Sequence, residues 1–208
     1  MKVLKLPELD NEFIARQLKA LRLSTDKKIA EIAEATGYAP SYISLIENGK
    51  RSLNYKILRR ILLYGFDETL SSFFSKILDD EGTFSENASI PRIYKSPFKL
   101  YNEDKTVTIQ ILIPTDASRG IELVKVTLSE GSTFDEEFTV DFKIQGTVLN
   151  GAIEIQLHEQ KFKVLQNESF SISIKTSSQQ NNSLWNLKIS NSSRDTSEIL
   201  LLFTPPVF

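Results

Sequence analysis

Between Pro40 and Arg60 the chain sets five cations, Lys50, Arg51, Lys56, Arg59 and Arg60, against one acid, Glu47. Guanidinium and ammonium groups grouped this closely suit phosphate, because a polyanion is held by local positive charge and does not require a basic chain overall. Just ahead of them lie Pro40, Ser41, Tyr42, Ser44, Leu45 and Asn48, and Asn54 and Tyr55 sit beside Lys56. Hydroxyls, amides and a short apolar group at such positions could touch sugar, phosphate or base edges. Other chemistries have poorer starting material. The chain has no cysteine and one histidine, His158, next to Glu159, which excludes disulfides, thiolate nucleophiles and zinc sites built on Cys. A lone imidazole in a turn is expected to be solvated. Asp135, Glu136, Glu137 and Asp141 could offer oxygen to a hard cation, but the simpler expectation is a charged strand entrance facing water. No catalytic residue, metal or cofactor is expected.

The cations need elements that hold them on one side. Before residue 80, mostly apolar stripes recur at three- and four-residue steps: Phe13, Gln17, Leu18 and Leu21 with Ile14 beside them, then Ile29, Ile32 and Ala33, then Ile57, Leu58, Ile61 and Leu62. That spacing predicts helices with one buried face each. Gly37 falls where a helix must stop and φ turns positive. Pro40 suits the first turn of the next helix, where a missing N–H costs nothing. Ile43 and Ile46 point inward, and Gly49 ends that helix. Two short helices joined by a tight glycine turn are the geometry that seats a helix in the major groove.

After residue 80 the pattern changes to period two. Thr106–Ile113, Ile121–Leu128, Gly151–Leu157, Phe170–Ile174 and Ile199–Phe203 read as strands separated by Asn-, Gly- and Ser-rich turns, which predicts a sandwich or barrel. The expected division is 1–78 for the helical domain, 79–90 for an acidic linker and 91–208 for the β-domain. The net charge of −2 hides an asymmetry: residues 1–80 carry 13 Lys/Arg against 11 Asp/Glu, and residues 81–208 carry 12 against 16. No apolar run is long enough to span a membrane and the start lacks a signal-peptide core, so a cytoplasmic location is expected.

Ile32-Ala33-x-x-x-Gly37 followed by Ser41-Tyr42-Ile43-Ser44-x-Ile46-Glu47-Asn48-Gly49-Lys50 resembles the XRE, or lambda-repressor-like, helix-turn-helix family over residues 12–78. The resemblance implies that the second helix of the pair reads base edges, with Pro40, Ser41 and Ser44 at its first exposed positions. It also implies that Asn48, Lys50 and Arg51 clamp the backbone, and that Arg22 pairs with Glu47 to lock this helix onto the first. The full set expected at DNA is Pro40, Ser41, Tyr42, Ser44, Leu45, Asn48, Lys50, Arg51, Asn54 and Tyr55. There are departures from the pattern. Ile29 stands where the family often has a phosphate-touching Gln, and Pro40 replaces a polar reader. Lys27 replaces a core Leu, so the second helix is expected to begin at a Thr25-Asp26 cap.

The layout of the second half, with Gly131-x5-Glu137-Phe138-Thr139, Val148-Leu149-Asn150-Gly151 and a close on Thr204-Pro205-Pro206, resembles a cupin barrel. Active cupins hold a metal through His-x-His, a Glu and a later His. Those positions fall here on Glu137, Thr139 and near Ile144, and one histidine cannot complete such a site. The aromatics Phe138, Phe142, Phe170 and Trp185 either fill the barrel or line an apolar ligand pocket; Phe138 and Phe142 share a parity along what reads as one strand. The expected fold is therefore a lambda-repressor-like helical bundle followed by a cupin-like β-barrel (double-stranded β-helix). The expected function is a non-enzymatic transcription regulator. Its partners would be double-stranded DNA bound at an inverted repeat, a second copy of the chain and a small-molecule effector. The alternative is an antitoxin or anti-regulator that uses the helix-turn-helix for protein contacts; a cupin enzyme with an atypical site stands behind both.

Overall fold

A computed structural model describes residues 11–80, 98–113, 120–138, 141–157, 159–175 and 185–206. The chain divides into two compact units, with the division between Phe98 and Lys99. The helical unit contains α1 (Asn11–Ser24), α2 (Ile29–Thr36), α3 (Pro40–Glu47) and α4 (Tyr55–Arg60); α4 runs into a π-helical stretch, Ile61–Phe66, and α5 (Leu70–Asp80) follows. Helix α5 thus takes in Asp79 and Asp80, and the rest of the expected linker lies outside the described residues.

The core of this unit is mainly aliphatic, with Tyr55, Phe73 and Phe74 as its buried rings. Ile14, Ala15 and Leu18 of α1 are buried, as are Ile32, Ala33, Ile43, Ile46, Leu58 and Leu62. The inward stripe of α1 is thereby centred on Ile14 and Leu18, while Phe13, Gln17 and Leu21 are half-buried at its margins. The Thr25-Asp26 cap expected for α2 is not formed. Thr25 Oγ1 instead donates back to the carbonyls of Leu21 and Arg22, and Asp26 adopts φ +53°, so both residues close α1. Helix α2 starts at Ile29, where the Glu31 carboxylate accepts the Lys28 backbone N–H at 2.6 Å. Lys27 is likewise not a failed core residue. Its ammonium donates to the Gly65 carbonyl at the end of the π stretch and lies 5.5 Å from the Phe66 ring centre. Gly65 lets that stretch approach α2, since a Cβ there would come within 3.1 Å of Ile32 Cγ2.

The β unit has ten strands among the described residues: β1 (Phe98–Tyr101), β2 (Val107–Ile113), β3 (Glu122–Leu128), β4 (Thr133–Phe138), β5 (Phe142–Asn150), β6 (Ala152–Leu157), β7 (Gln160–Leu165), β8 (Ser169–Ile174), β9 (Trp185–Asn191) and β10 (Ser197–Thr204). They form two sheets ordered β1-β2-β3-β10-β5-β8 and β4-β9-β6-β7. From β3 onward the chain crosses repeatedly between the sheets, and the eight strands fall four to each. This is the double Greek-key order of jelly rolls and cupins, here extended by β1 and β2 at one edge. The two sheets are not joined edge to edge among the described strands, so the cupin-like body is an open barrel.

Strict alternation places Val124, Val126 and Leu128 of β3, Ile199, Leu201 and Phe203 of β10 and Ile144 and Val148 of β5 inside. Two expectations are corrected. Phe138 and Phe142 are not on one strand, because β4 ends at the first and β5, in the other sheet, begins at the second; both still face the interior, their ring centres 4.4 Å apart. Glu136 does not face water with its acidic neighbours. It alternates inward with Phe134 and Phe138 and is 5% exposed, whereas Glu137 points outward and Asp135 lies 3.3 Å from Lys188 Nζ.

Candidate nucleic-acid interface

Helix α3 is positioned from both ends. Gly37, at φ +73°, ends α2 in the left-handed conformation, and Pro40 opens α3. At the far end, Lys50 N–H donates to the Leu45 carbonyl and Gly49 N–H to that of Ile46, both at 2.9 Å, with Gly49 at φ +68°. That pair of bonds is the Schellman closure, and it needs a residue at ease with positive φ. Between the ends, Ile43 and Ile46 are 1% and 0% exposed and hold the inner face in the core.

An ion pair fixes the rotation of α3. Arg22, in the last turn of α1, sends Nε to Glu47 Oε1 at 2.7 Å and Nη2 to Oε2 at 2.9 Å. The Arg22 side chain is 12% exposed and that of Glu47 5%. This two-point geometry is one that guanidinium forms and ammonium cannot. The bonds to Glu47 push the already high pKa of Arg22 further up, with burial partly opposing them, and Nη1 also reaches the Lys27 carbonyl at 3.3 Å.

With its inner face so held, α3 turns Pro40, Ser41, Leu45 and Asn48 outward, with Ser44 half-exposed among them. Lys50 and Arg51 are exposed immediately beyond. Tyr42 is half-buried: its ring lies 5.0 Å from that of Tyr38 and 5.6 Å from the Arg51 guanidinium, so Arg51 is stacked as well as charged. Asn48 closes its own helix by donating to the Ser44 carbonyl at 2.8 Å.

One expected contact falls elsewhere, and a second residue has a structural role as well. Tyr55 is 1% exposed and belongs to the core of the helical unit, because it lies on the inward face of α4 with Leu58; it cannot reach a ligand at the surface. Asn54 caps α4, its side-chain oxygen accepting the Ile57 N–H at 2.9 Å.

Two positioning residues escape a reading of the sequence. Asn11 binds the loop after α3 from both sides, donating to the Arg51 carbonyl at 3.1 Å and accepting from Leu53 N–H at 2.9 Å. Its place at the first turn of α1 carries no hint of a partner forty residues on. Arg60 stands in the sequence as one cation among five. Its Nε donates to the Thr36 carbonyl at 2.7 Å, and its guanidinium lies 5.7 Å and 5.5 Å from the ring centres of Tyr38 and Tyr64, so it ties α4 to the turn between α2 and α3. Partial burial raises the pKa of the Tyr38 phenol, and the nearby Arg60 charge works against that rise.

In the β unit, Phe138, Phe142 and Phe203 form an aromatic cluster with centroid separations of 4.4–6.3 Å. Phe170 lies over Gly146, where a Cβ would come within 2.4 Å of its Cζ. Trp185 stands opposite Phe138 in the β4–β9 register. Of the positions that the cupin resemblance assigns to a metal, Glu137 is exposed and Ile144 is a fully buried hydrocarbon; Thr139 and His158 lie outside the described residues. Glu122 and Glu136 are the buried carboxylates of the β unit among the described residues.

Residues 14–72 match the family model described as a helix-turn-helix domain. No curated protein sequence matches the chain. Among solved structures, the chain is similar to an HTH_3 family transcriptional regulator from Vibrio cholerae, with a TM-score of 0.64 at 21% identity over 95% of this chain and 97% of that one. A Cupin_2 domain of an XRE family transcriptional regulator from Enterobacter cloacae aligns with a TM-score of 0.40 at 13% identity, over 49% of this chain and 99% of that one. Hydroxypropylphosphonic acid epoxidase from S. wedmorenis aligns with a TM-score of 0.42 at 13% identity, over 92% and 97%. The family match on the helices, the whole-chain likeness in fold and the strand order of the β unit together show a helix-turn-helix domain joined to a β-domain of cupin-like fold.

Proposed function

We propose that this protein is a sequence-specific DNA-binding transcription regulator that acts as a homodimer on an inverted repeat, its cupin-like domain being non-catalytic. The observation that carries the reading is the fixed presentation of α3. The Arg22–Glu47 pair and the buried Ile43 and Ile46 hold one side of the helix, so Pro40, Ser41, Ser44, Leu45 and Asn48 form an outward ridge with Lys50 and Arg51 at its end. A ridge flanked by cations is what a helix needs to enter the major groove while its neighbours grip phosphate.

For the β-domain, two features support subunit pairing. Strand β7 is an edge of its sheet, and it exposes Phe162 by 46% and Leu165 by 48%; free edges with apolar side chains invite another chain. The interior combines aromatic rings with the Glu122 and Glu136 carboxylates, the composition that small-molecule sites use, and a bound effector would shift DNA affinity through any difference in its binding to two states of the dimer. The ligand position that the cupin resemblance puts on or near Ile144 meets a buried hydrocarbon with no donor atom for a metal, which supports the non-catalytic reading.

The test is retardation of a duplex from the region upstream of the gene at low ionic strength, with Lys50→Ala/Arg51→Ala alongside. Wild type is expected to retard the duplex. The double variant should bind all sequences more weakly, and the slope of log K against log salt should flatten by about two, near one unit for each phosphate no longer neutralised. Failure of wild type to bind any duplex would overturn the reading and leave the helix-turn-helix as a surface for protein contacts.

A further inference from the structure

The outward ridge of α3 has an unusual chemical make-up for a helix that reads bases. Pro40, Ser41, Ser44, Leu45 and Asn48 stand at spacings of one, four, five and eight, and so share one side of the helix. None of them has a free, long, fork-shaped polar group. Ser41 and Ser44 carry single short hydroxyls. Asn48 spends an amide N–H on the Ser44 carbonyl, and its nitrogen lies 3.5 Å from Ser44 Oγ. The Glu47 carboxylate is held by Arg22 on the other side, and Tyr42 is stacked between Tyr38 and Arg51. Apart from the Asn48 amide, already partly committed to its own helix end, the bidentate pairings that pick out guanine or adenine in the major groove therefore have no supplier on this ridge.

What the ridge does offer is a branched aliphatic side chain. Leu45 is 42% exposed, with the Pro40 ring exposed on the same side. One exposed leucine is ordinary on a protein surface, so exposure alone says nothing. Its place is what matters, because it is the largest apolar group on the one face of α3 that the fold leaves open. The major groove displays one apolar feature that distinguishes base pairs, the C5-methyl group of thymine.

We infer that Leu45 is a specificity-determining residue that reads thymine methyl groups, so each half-site is selected chiefly for the position of its thymines. The inference rests on the proposed DNA binding and names what that same helix recognises. Burial of one methyl against Leu45 corresponds to about a fourfold gain in affinity.

The experiment uses the full chain and a duplex library with a randomised core, selected by wild type and then resynthesised with single thymines replaced by deoxyuridine, which removes the methyl and leaves every hydrogen-bonding group. Wild type is expected to lose about three- to fivefold at one or two thymines in each half-site. Leu45→Ala should bind the thymine and deoxyuridine forms equally at those positions, while Leu45→Met should keep most of the discrimination. Binding of the selected duplex by wild type with no deoxyuridine effect at any position, or an undiminished effect in Leu45→Ala, would overturn the inference and leave the DNA-binding reading standing. Absence of binding to every duplex at low salt would remove both.

Discussion

Arg22 and Glu47 show how much one pair of side chains can decide. Both are largely buried and joined at two points, so removing either leaves the other as an uncompensated charge in a poorly solvated place. Loss of one partner of such a pair costs about 3–5 kcal/mol, whereas replacing both by apolar groups of similar volume can be neutral. Arg22→Ala should therefore lower the denaturation midpoint of the helical signal sharply. Arg22→Met/Glu47→Leu should recover most of it. The double variant should nevertheless bind DNA with blurred sequence preference, because nothing then fixes the rotation of α3 about its axis. A double variant as unstable as Arg22→Ala would show that the pair is a net source of stability. The pair is legible in the sequence only through the family pattern. Asn11, which holds the following loop by bonds just as direct, belongs to no pattern that spacing reveals.

At the scale of elements, legibility follows backbone punctuation and burial on one face. The limits of α3 can be read because Gly37, Pro40 and Gly49 each have a conformational reason to be there, and strands β2, β3, β6 and β10 because one of their two faces is dry. Where those signals conflict, the sequence misleads. Thr25-Asp26 has the composition of an N-cap but closes the preceding helix, and Ile61–Phe66 keeps a helical apolar pattern although its backbone is π-helical. Glu136 resembles a solvated residue because its neighbours are acids, but strand parity, not composition, decides which way a side chain points.

The turn around Asn191 is visible in the sequence as a turn, yet its energetic role is not. Asn191 is 7% exposed. Its amide nitrogen lies within 3.1 Å of the carbonyls of Leu128, Ser129 and Asp195, and its oxygen accepts from Ser193 N–H and from the Ser193 and Ser197 hydroxyls at 2.7–2.8 Å. These groups join the β3–β4 turn to the β9–β10 turn, partners more than sixty residues apart in the chain. Asn191→Ala would strand several of them in a buried place and should cost roughly 2–3 kcal/mol. Asn191→Asp should be worse, since a carboxylate would face three carbonyl oxygens. Gly151→Ala probes the same corner from the β5–β6 turn: at φ +75° its new Cβ would come within 2.4 Å of Ser197 Oγ and 3.1 Å of Ser197 Cα. Urea melts of the β-domain signal should rank all three below wild type, and an unchanged midpoint for Asn191→Ala would show that water replaces the network at no cost.

For the whole molecule, the proposed dimer links the two units through mass action. A single helix-turn-helix covers one half-site; two of them held together turn the second contact into an intramolecular event with a high effective concentration, so avidity exceeds either affinity. If the β7 edge with Phe162 and Leu165 is the pairing surface, Phe162→Lys/Leu165→Lys should convert a sedimenting dimer to a monomer. Affinity for a two-half-site operator should then fall by roughly tenfold or more, while affinity for an isolated half-site stays unchanged, because α3 and its cations are untouched. Spacing supplies the independent check. Inserting about 5 bp between half-sites puts them on opposite sides of the duplex, whereas a full turn of about 10 bp keeps them on one side. Wild type should lose avidity with the half-turn insertion, and the lysine variant should be indifferent to it. Equal loss of half-site affinity in the lysine variant would mean that the substitutions damage the fold and leave pairing unprobed at β7. In that event, the half-turn insertion read on wild type alone decides for or against a dimer: a duplex bound as tightly after the insertion as before it would mean that each copy acts alone.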